Sequence, residues 1–229
     1  MTPIIYGMSD LHGHVDFPLP ACDLLLIAGD VGPDSYQRQW FRKEPLRFAH
    51  WWQERFLPWL EVQSEGGQRI RNIVLTWGNH DWTKDFPPGT LTLPPYLRIV
   101  VDELIEVEGL KIWGSPWCNP FMNWSWMKAP KQLRAYYEAI PTGTDIILTN
   151  QPPQGKAGNL FNESLGSHEL MVEMVRIQPK AVVCGHIHYA HGQYVQSGAL
   201  VYNVALVDES YTMIHKPTEI KLIEEEFTL

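Results

Sequence analysis

Four short apolar runs in this chain each end in a loop that carries carboxylate, imidazole or amide side chains. The runs are Ile4–Met8, Leu24–Ala28, Ile70–Trp77 and Ala181–Val183. Their length and their content of β-forming residues predict buried strands. Because the same kind of polar loop follows all four runs, we expect the loops to converge on one site.

The polar residues of these loops form an ordered series along the chain. They are Asp10, His12, Asp30, Asn79, His80, Asp81, His186 and His188. Asp10 and His12 are two residues apart, so in extended backbone their side chains would point to the same side. Gly29 precedes Asp30 and would let the backbone approach closely, which places a carboxylate where it can bridge two cations.

The ligand types predict a metal centre. Mixed nitrogen and oxygen ligands suit Mn, Fe, Zn, Co or Ni better than the all-oxygen sites of Mg or Ca. Two such ions about 3.5–4 Å apart can hold a shared hydroxide and clamp the oxygens of a phosphoryl group. A single Asp or His at a strand end is more often structural, but four separate loops in this order favour the metal interpretation.

The motifs resemble the signature of the calcineurin-like metallophosphoesterases. DLH (10–12), GD (29–30), GNHD (78–81) and GHIH (185–188) carry this likeness. The region 114–203 resembles one branch, the metallophosphoesterase-domain-containing proteins. The residues that carry the second likeness are Gly114–Trp117, Trp124, Asp145–Thr149, Pro152–Pro153, Gly155, Gln178–Pro179, Gly185–His188, Gly192 and Tyr202–Asn203.

The resemblance implies a fold and a role for each site residue. The fold is an α/β four-layer αββα sandwich, in which two mixed sheets are flanked by helices. Asp10, His12 and His188 would hold the first of two divalent ions, and Asp30 would bridge both. Asn79 and His186 would hold the second ion. Manganese is the expected metal, with Fe, Zn, Co and Ni as alternatives.

The resemblance also assigns the acid chemistry of the site. His80 would stabilise the phosphate and donate a proton to the leaving alkoxide, a role that suits an imidazole because it titrates near neutral pH. Asp81 would orient His80. The alternative for Asp81 is a turn residue whose carboxylate bonds the backbone.

Asn150 departs from the family pattern, because the family has a histidine ligand of the second metal at this position. An amide oxygen is a poorer ligand than imidazole for the late transition metals. We therefore expect a weakened second site. Three explanations stay open: natural retuning of activity, a substitution that traps ligand, and compensation by the neighbouring Gln151.

Composition limits the kinds of partner and the cellular compartment that we expect for this protein. A net charge of -8 argues against nucleic-acid binding through a basic surface. Three scattered cysteines predict a reducing compartment rather than a disulfide framework. The sequence has no secretory signal pattern and no apolar run of membrane-spanning length, so we expect a cytoplasmic protein without a membrane partner. The oligomeric state stays open.

The secondary-structure pattern predicts one domain over residues 1–229. Pro45–Glu61, Lys131–Ile140 and His168–Ile177 have helical patterns, and Ser167 is the expected N-cap of the last. The further predicted strands are Leu97–Val100, Leu104–Val107, Leu110–Trp113, Ile146–Leu148, Tyr194–Gln196, Leu200–Asn203 and Tyr211–His215.

The ten tryptophans are unusual for a chain of this length. Core packing explains most aromatic residues, but some could form a platform on which a substrate ring stacks. We expect the irregular segment around Trp117 and Trp124 to cover the metals, with Trp117 contacting substrate. Asn79 and His80 are the other predicted substrate contacts.

The predicted function is hydrolysis of a small phosphoester, either a phosphodiester or a phosphomonoester. The resemblance favours a dinuclear metal-dependent phosphodiesterase that acts on nucleotide-like diesters, cyclic ones included, by attack of a metal-bridging hydroxide. Asn150 leaves room for an alternative, a weak or inactive member of the fold that serves as an interaction protein. A nuclease is a third option, which the acidic charge disfavours.

Overall fold

The computed structural model describes residues 2–33, 46–160 and 163–223 of the chain. The strands are β1 Ile5–Met8, β2 Cys22–Ala28, β3 Ile70–Thr76, β4 Leu97–Ile99, β5 Glu103–Val107, β6 Leu110–Ser115, β7 Ile146–Thr149, β8 Asn159–Leu160, β9 Glu163–Ser164, β10 Ala181–Cys184, β11 Gly192–Gln196, β12 Ala199–Asn203 and β13 Thr218–Glu219. The α-helices are α1 Leu46–Trp51, α2 Leu57–Ser64, α3 Pro130–Glu138 and α4 His168–Ile177.

Two mixed sheets form the centre of the molecule. The first sheet has the order β13-β1-β2-β3-β4, and the second has the order β11-β12-β10-β7-β6-β5. Strands β1 to β4 run parallel to one another, as do β12, β10, β7 and β6. The outer strands β13, β11 and β5 pair antiparallel with their neighbours. A separate hairpin pairs β8 with β9.

Alternation along the strands divides the apolar side chains between two buried layers. Leu24 and Leu26 of β2 pack with Leu148 and Val183 between the two sheets. Leu25 and its neighbours on the other face of the first sheet pack against helices. Because side chains alternate in direction along a strand, each sheet presents apolar side chains on both faces, and each face packs against another layer. This arrangement confirms the predicted four-layer αββα sandwich.

A continuous helical segment covers the outer face of the first sheet. Between α1 and α2 the turn widens to a π-helix over Trp52–Phe56. Phe48, Trp52 and Phe56 are fully buried in the contact with the sheet. The helical prediction is confirmed from Leu46 onwards, whereas the predicted start at Pro45 lies outside the described residues.

The other two helix predictions are confirmed within two residues. Helix α3 begins and ends slightly earlier than predicted, at Pro130 and Glu138. Helix α4 has the predicted bounds, and the hydroxyl of Ser167 accepts a hydrogen bond from the backbone N–H of Leu170 at 3.2 Å. This bond satisfies one of the amide groups left free at a helix start.

The strand prediction for Tyr211–His215 is wrong. This segment makes one isolated antiparallel bridge, between Val207 and Met213. The carboxylate of Asp208 accepts hydrogen bonds from the N–H groups of Ser210 at 2.9 Å and Thr212 at 3.0 Å, which folds the chain into a tight loop. An Asp side chain that bonds the backbone in this way competes with strand pairing.

Within the described ranges, no helix has the length and apolarity that a membrane crossing requires.

Candidate metal centre

The site lies where the parallel strands of both sheets end. The loop after β1 bonds the loop after β2, since the N–H groups of Asp10 and His12 donate to the carbonyls of Gly29 and Asp30, both at 3.0 Å. A Cβ on Gly29 would lie 2.7 Å from the backbone nitrogen of Gly78. The predicted close backbone approach at Gly29 is therefore confirmed, and it brings three ligand loops together.

Four of the predicted ligands have left-handed backbone. Their φ angles are 54° at Asp10, 43° at His12, 53° at Asp30 and 67° at His186. Such angles are uncommon outside glycine and carry strain that other contacts must offset. The expectation that Asp10 and His12 project together from an extended strand is wrong, because β1 ends at Met8 and a turn aims both side chains at the site.

The side chains of Asp10, His12 and His188 converge. Oδ1 of Asp10 is 3.2 Å from Nε2 of His188 and 3.8 Å from Nε2 of His12, and the two Nε2 atoms are 3.3 Å apart. Ligands placed about 2.0–2.2 Å from one ion have spacings of this size. The donor set therefore fits one divalent cation, as predicted for the first metal.

The protonation states of Asp10 and His12 also suit a cation. Burial lowers the pKa of His12 to about 4, which leaves its imidazole neutral and able to ligate. Burial acts to raise the pKa of Asp10, but hydrogen bonds and charge from His12 and His188 outweigh it and hold this pKa well below its ordinary value. Burial, followed by the charges of Asp10 and Asp81, raises the pKa of Asp30 well above the ordinary range. A divalent ion would balance these buried carboxylates.

Asp10 and Asp30 are held by backbone groups of distant loops. Both oxygens of Asp10 accept from the N–H of His186, at 3.1 and 3.0 Å. Oδ1 of Asp30 accepts from the N–H of His80 at 2.7 Å. Each carboxylate therefore joins its own loop to a loop that carries an imidazole, and the ligands are positioned before a metal arrives.

The predicted second-metal residues Asp30, Asn79 and Asn150 also meet. Nδ2 of Asn150 lies 2.9 Å from Oδ1 of Asn79 and 3.5 Å from Oδ2 of Asp30. His186 lines the same cavity as Asp30, and burial lowers the pKa of His186 to about 4. Three side chains from different strands thus surround the position assigned to the second ion.

The sequence prediction missed Cys118. Its Sγ lies 3.2 Å from Nδ2 of Asn150 and 3.8 Å from Oδ1 of Asn79. Burial, with the charge of Asp30 next, raises the pKa of the Cys118 thiol. The signal available in the sequence was a lone cysteine in the irregular segment after β6, which by itself does not indicate a ligand.

His80 and Trp124 form the wall beside the ligand cluster. The His80 ring meets the His12 ring edge-on, with centroids 4.7 Å apart and planes 87° apart. The Trp124 indole lies 4.1 Å from the His80 ring. His80 is 5% exposed and lines the cavity.

Asp81 contacts the backbone of two ligand loops. One of its oxygens accepts from the N–H groups of Val31 and Gly32, both at 3.0 Å, and the other accepts from the N–H of Gly78 at 2.8 Å. These contacts fit the alternative for Asp81, a turn residue that fixes the loops. Orientation of His80 by Asp81 stays a prediction.

Asn203 fixes the GHIH loop. Its Nδ2 donates to the carbonyls of Ile187 at 2.9 Å, Gly185 at 3.4 Å and Ala157 at 3.1 Å. Nδ1 of His188 makes a further contact with the carbonyl of Asp208 at 3.0 Å. A metal-ligating histidine is commonly oriented through its second ring nitrogen in this way.

A cavity of about 670 Å³ opens above the cluster. Its wall combines site residues with aromatic side chains, namely Asp30, His80, His186, His188, Phe121, Trp124, Tyr189 and Tyr211. Among the described residues that line it, none is a lysine or arginine. Within this described lining, the groups that can supply positive charge to an anionic substrate are the imidazoles, when protonated, together with any bound cations.

The prediction that Trp117 contacts substrate finds no support in its position. Trp117 is 5% exposed, and its indole N–H donates to the carboxylate of Asp102 at 2.7 Å. Its ring packs edge-on against Trp126, with centroids 5.1 Å apart. The bond to Asp102 turns the indole into the interior, and Trp124 and Phe121 present the aromatic surface to the cavity instead.

Known proteins resemble this chain in sequence. A family model described as calcineurin-like phosphoesterase matches residues 5–190. The chain is 30% identical to human metallophosphoesterase domain-containing protein 1 over 247 residues, which cover 94% of this chain and 69% of that protein. It is 31% identical to UPF0046 protein T07D4.2 of Caenorhabditis elegans over 119 residues, which cover 51% of this chain and 30% of that protein.

A solved structure extends the likeness to the fold. The phosphopantetheinyl hydrolase PptH of Mycobacterium tuberculosis has a TM-score of 0.52 with this chain, at 14% identity and 95% coverage of both chains. The family match over residues 5–190 and the convergence of Asp10, His12 and His188 indicate the same class of metal-binding protein. The chain belongs to the calcineurin-like metallophosphoesterase family, whose divalent-metal centres are dinuclear. Membership indicates a metal-dependent phosphoester hydrolase.

Proposed function

We propose that this protein is a metal-dependent phosphodiesterase that acts on small nucleotide-like diesters. The observation that carries the proposal is the convergence of Asp10, His12 and His188 beside a cavity that His188, His80 and Trp124 line. The site offers cation ligands, a proton donor and an aromatic surface within one cavity. Together these three elements suit cleavage of a phosphodiester that carries a ring.

Each group of residues has one role in the proposal. Asp10, His12 and His188 hold the first ion, Asp30 bridges, and Asn79, Asn150 and His186 hold the second. Manganese is the expected ion at the first position. When bound, the two ions supply charge that neutralises the phosphoryl oxygens and lowers the pKa of an attacking water.

His80 completes the chemistry as the proton donor. Its backbone N–H donates to Asp30, which fixes the loop that carries the ring. Its ring faces the cavity beside the ligand cluster, where the departing alkoxide of an ester would need a proton. The imidazole also adds positive charge near the phosphate when protonated.

Trp124 and the size of the cavity support a nucleotide-like substrate. A volume of about 670 Å³ lies within the usual range for small-molecule sites. The Trp124 ring adjoins His80, so the leaving group of a bound ester would lie on the indole while His80 protonates its oxygen. Stacking of a base on an aromatic side chain is favourable by about 1–3 kcal/mol.

The second ion is proposed to bind weakly because Asn150 replaces a histidine. This residue also favours the alternative of a protein that has kept the fold and lost turnover. Against that alternative, the first-metal ligands and His80 are all retained and brought together, although an interaction protein needs none of them.

A comparison of two nitrophenyl esters tests the proposal. Purified protein loaded with manganese should hydrolyse bis(nitrophenyl) phosphate faster than nitrophenyl phosphate. Asp10→Asn should abolish both activities, whereas His50→Ala, at an exposed histidine on α1, should leave them intact. Absence of hydrolysis with Mn, Co, Zn and Fe(II) would support the interaction protein. Preferential cleavage of single-stranded oligonucleotides would support a nuclease.

A further inference from the structure

Three potential ligand atoms surround the amide nitrogen of Asn150. Oδ1 of Asn79 lies 2.9 Å from it, Sγ of Cys118 lies at 3.2 Å, and Oδ2 of Asp30 lies at 3.5 Å. An amide nitrogen is the positive end of its dipole, so these three atoms already surround a partial positive charge. A cation bound among these three atoms, with the Asn150 amide rotated so that its oxygen faces the ion, would meet a carboxylate, an amide and a thiol at once.

The backbone holds Cys118 against this position. Its N–H donates to the carbonyl of Trp126 at 2.9 Å, and its own carbonyl accepts from the N–H of Lys128 at 3.0 Å. Ser125 donates to the carbonyl of Asn79 at 3.0 Å, which joins the same segment to the GNHD loop. Cys118 is fully buried, so its thiol is confined to the ligand cluster.

Compensation by Gln151 is one of the three explanations left open for Asn150, but the side chain of Gln151 is engaged elsewhere. Its Oε1 accepts from the backbone N–H of Asn119 at 2.6 Å, and its Nε2 donates to the carbonyl of Leu165 at 2.9 Å. Both ends of the amide therefore hold loops at the cavity rim. The family pattern has a histidine ligand at position 150. Cys118, rather than Gln151, is the side chain placed to take over its role.

We propose that Cys118 is a ligand of the second metal ion and makes this position selective for thiophilic ions. Together with Asp30 and Asn79 it would give the ion sulfur and oxygen ligands, and the thiol proton would leave to solvent as the cation binds. A thiolate favours Zn, Co or Fe(II) over Mn. Asp30 and the thiolate would also supply two negative charges to balance a divalent ion.

This inference rests on the second ion of the proposed function. Cobalt spectroscopy tests the role of Cys118 separately from the proposed function. Wild type, Cys118→Ser and Cys22→Ala would be loaded with Co(II) without added thiols. Cys22 is the matched control because it is a buried free thiol on β2, away from the metal ligands. Bound cobalt would be counted by mass spectrometry, and the sulfur-to-cobalt charge-transfer band would be recorded in the near ultraviolet.

The expected result is two cobalt ions and a charge-transfer band in wild type and Cys22→Ala. Cys118→Ser should lose the band and one of the two ions. A band that persists in Cys118→Ser, or wild type that binds two ions without a band, would overturn the assignment. Wild type that binds a single cobalt ion would overturn it as well.

X-ray absorption on zinc-loaded wild type keeps the test decisive if Cys118→Ser fails to fold. A sulfur shell at about 2.3 Å supports the assignment, and a shell of only nitrogen and oxygen at about 2.0–2.1 Å contradicts it. Hydrolysis of bis(nitrophenyl) phosphate is measured on the same samples. Turnover without sulfur ligation refutes the role of Cys118 alone, whereas no turnover with any metal refutes the proposed function.

Discussion

The imidazole of His80 lies against the indole of Trp124, with ring centroids 4.1 Å apart and planes inclined by 56°. The proposed proton donor and the proposed stacking surface are therefore neighbours. Any ester whose leaving group lies on Trp124 presents its departing oxygen close to His80. This relationship links the selectivity of the enzyme to its acid chemistry, and each part can be tested by itself.

Replacement of His80 should affect poor leaving groups most. His80→Ala removes the proton donor, and general acid catalysis contributes about 10²–10⁴-fold when the leaving alkoxide needs a proton. Nitrophenolate leaves without protonation, so kcat for nitrophenyl esters should fall much less than kcat for alkyl or nucleoside esters. Equal losses on both classes would remove the proton-donor assignment. His50→Ala serves as the control.

Replacement of Trp124 should weaken binding of substrates that carry a ring. Loss of a stacking interaction worth about 1–3 kcal/mol raises KM for a nucleoside or aryl diester roughly 5- to 150-fold. Trp124→Ala should therefore raise this KM, Trp124→Phe should restore much of the loss, and KM for a dialkyl phosphate should stay nearly unchanged. A similar rise for dialkyl and aryl substrates would contradict the stacking role.

Asn150→His should strengthen the second metal site. Imidazole is a better ligand than an amide oxygen for the late transition metals, so the variant should bind more of the second ion and turn over faster at limiting Mn. Metal titration with a paired activity assay measures both quantities. Asn72→His, on β3 beside Asp23 and Glu108, is the matched control. If neither occupancy nor turnover rises, Asn150 does not contact the metal.

Asp81→Asn separates the two roles considered for Asp81. The carboxylate accepts from three backbone N–H groups, and an amide in its place would set a donor against at least one of them. An unsatisfied buried donor costs about 1–3 kcal/mol, so thermal unfolding should move to lower temperature. The ratio of rates for poor and good leaving groups should stay as in wild type. A selective loss on poor leaving groups would show instead that Asp81 orients His80.

Much of the fold and of the first metal site could be predicted from the sequence. The strands before the ligand loops follow from compact apolar runs, and the order DLH, GD, GNHD and GHIH is specific when taken together. Asn203 ends a predicted strand, and its bonds to the carbonyls of Gly185 and Ile187 hold the GHIH loop. These features depend on local pattern, which a single sequence displays.

Other features depend on contacts between distant segments and could not be predicted. The left-handed turns at Asp10 and His12 arise because the loop after β1 bonds the loop after β2. Trp117 points into the interior whereas Trp124 lines the cavity, because the indole N–H of Trp117 donates to the carboxylate of Asp102. Cys118 reaches Asn150 only because β6 and β7 are neighbours in the second sheet. None of these contacts between distant segments can be read from the local sequence.

A crystal grown with manganese tests the central claim most directly. Anomalous scattering locates the ion independently of any activity. We predict a peak about 2.0–2.2 Å from Oδ1 of Asp10 and from Nε2 of both His12 and His188. Density that shows these three side chains pointing apart, with no anomalous peak among them, would contradict the account.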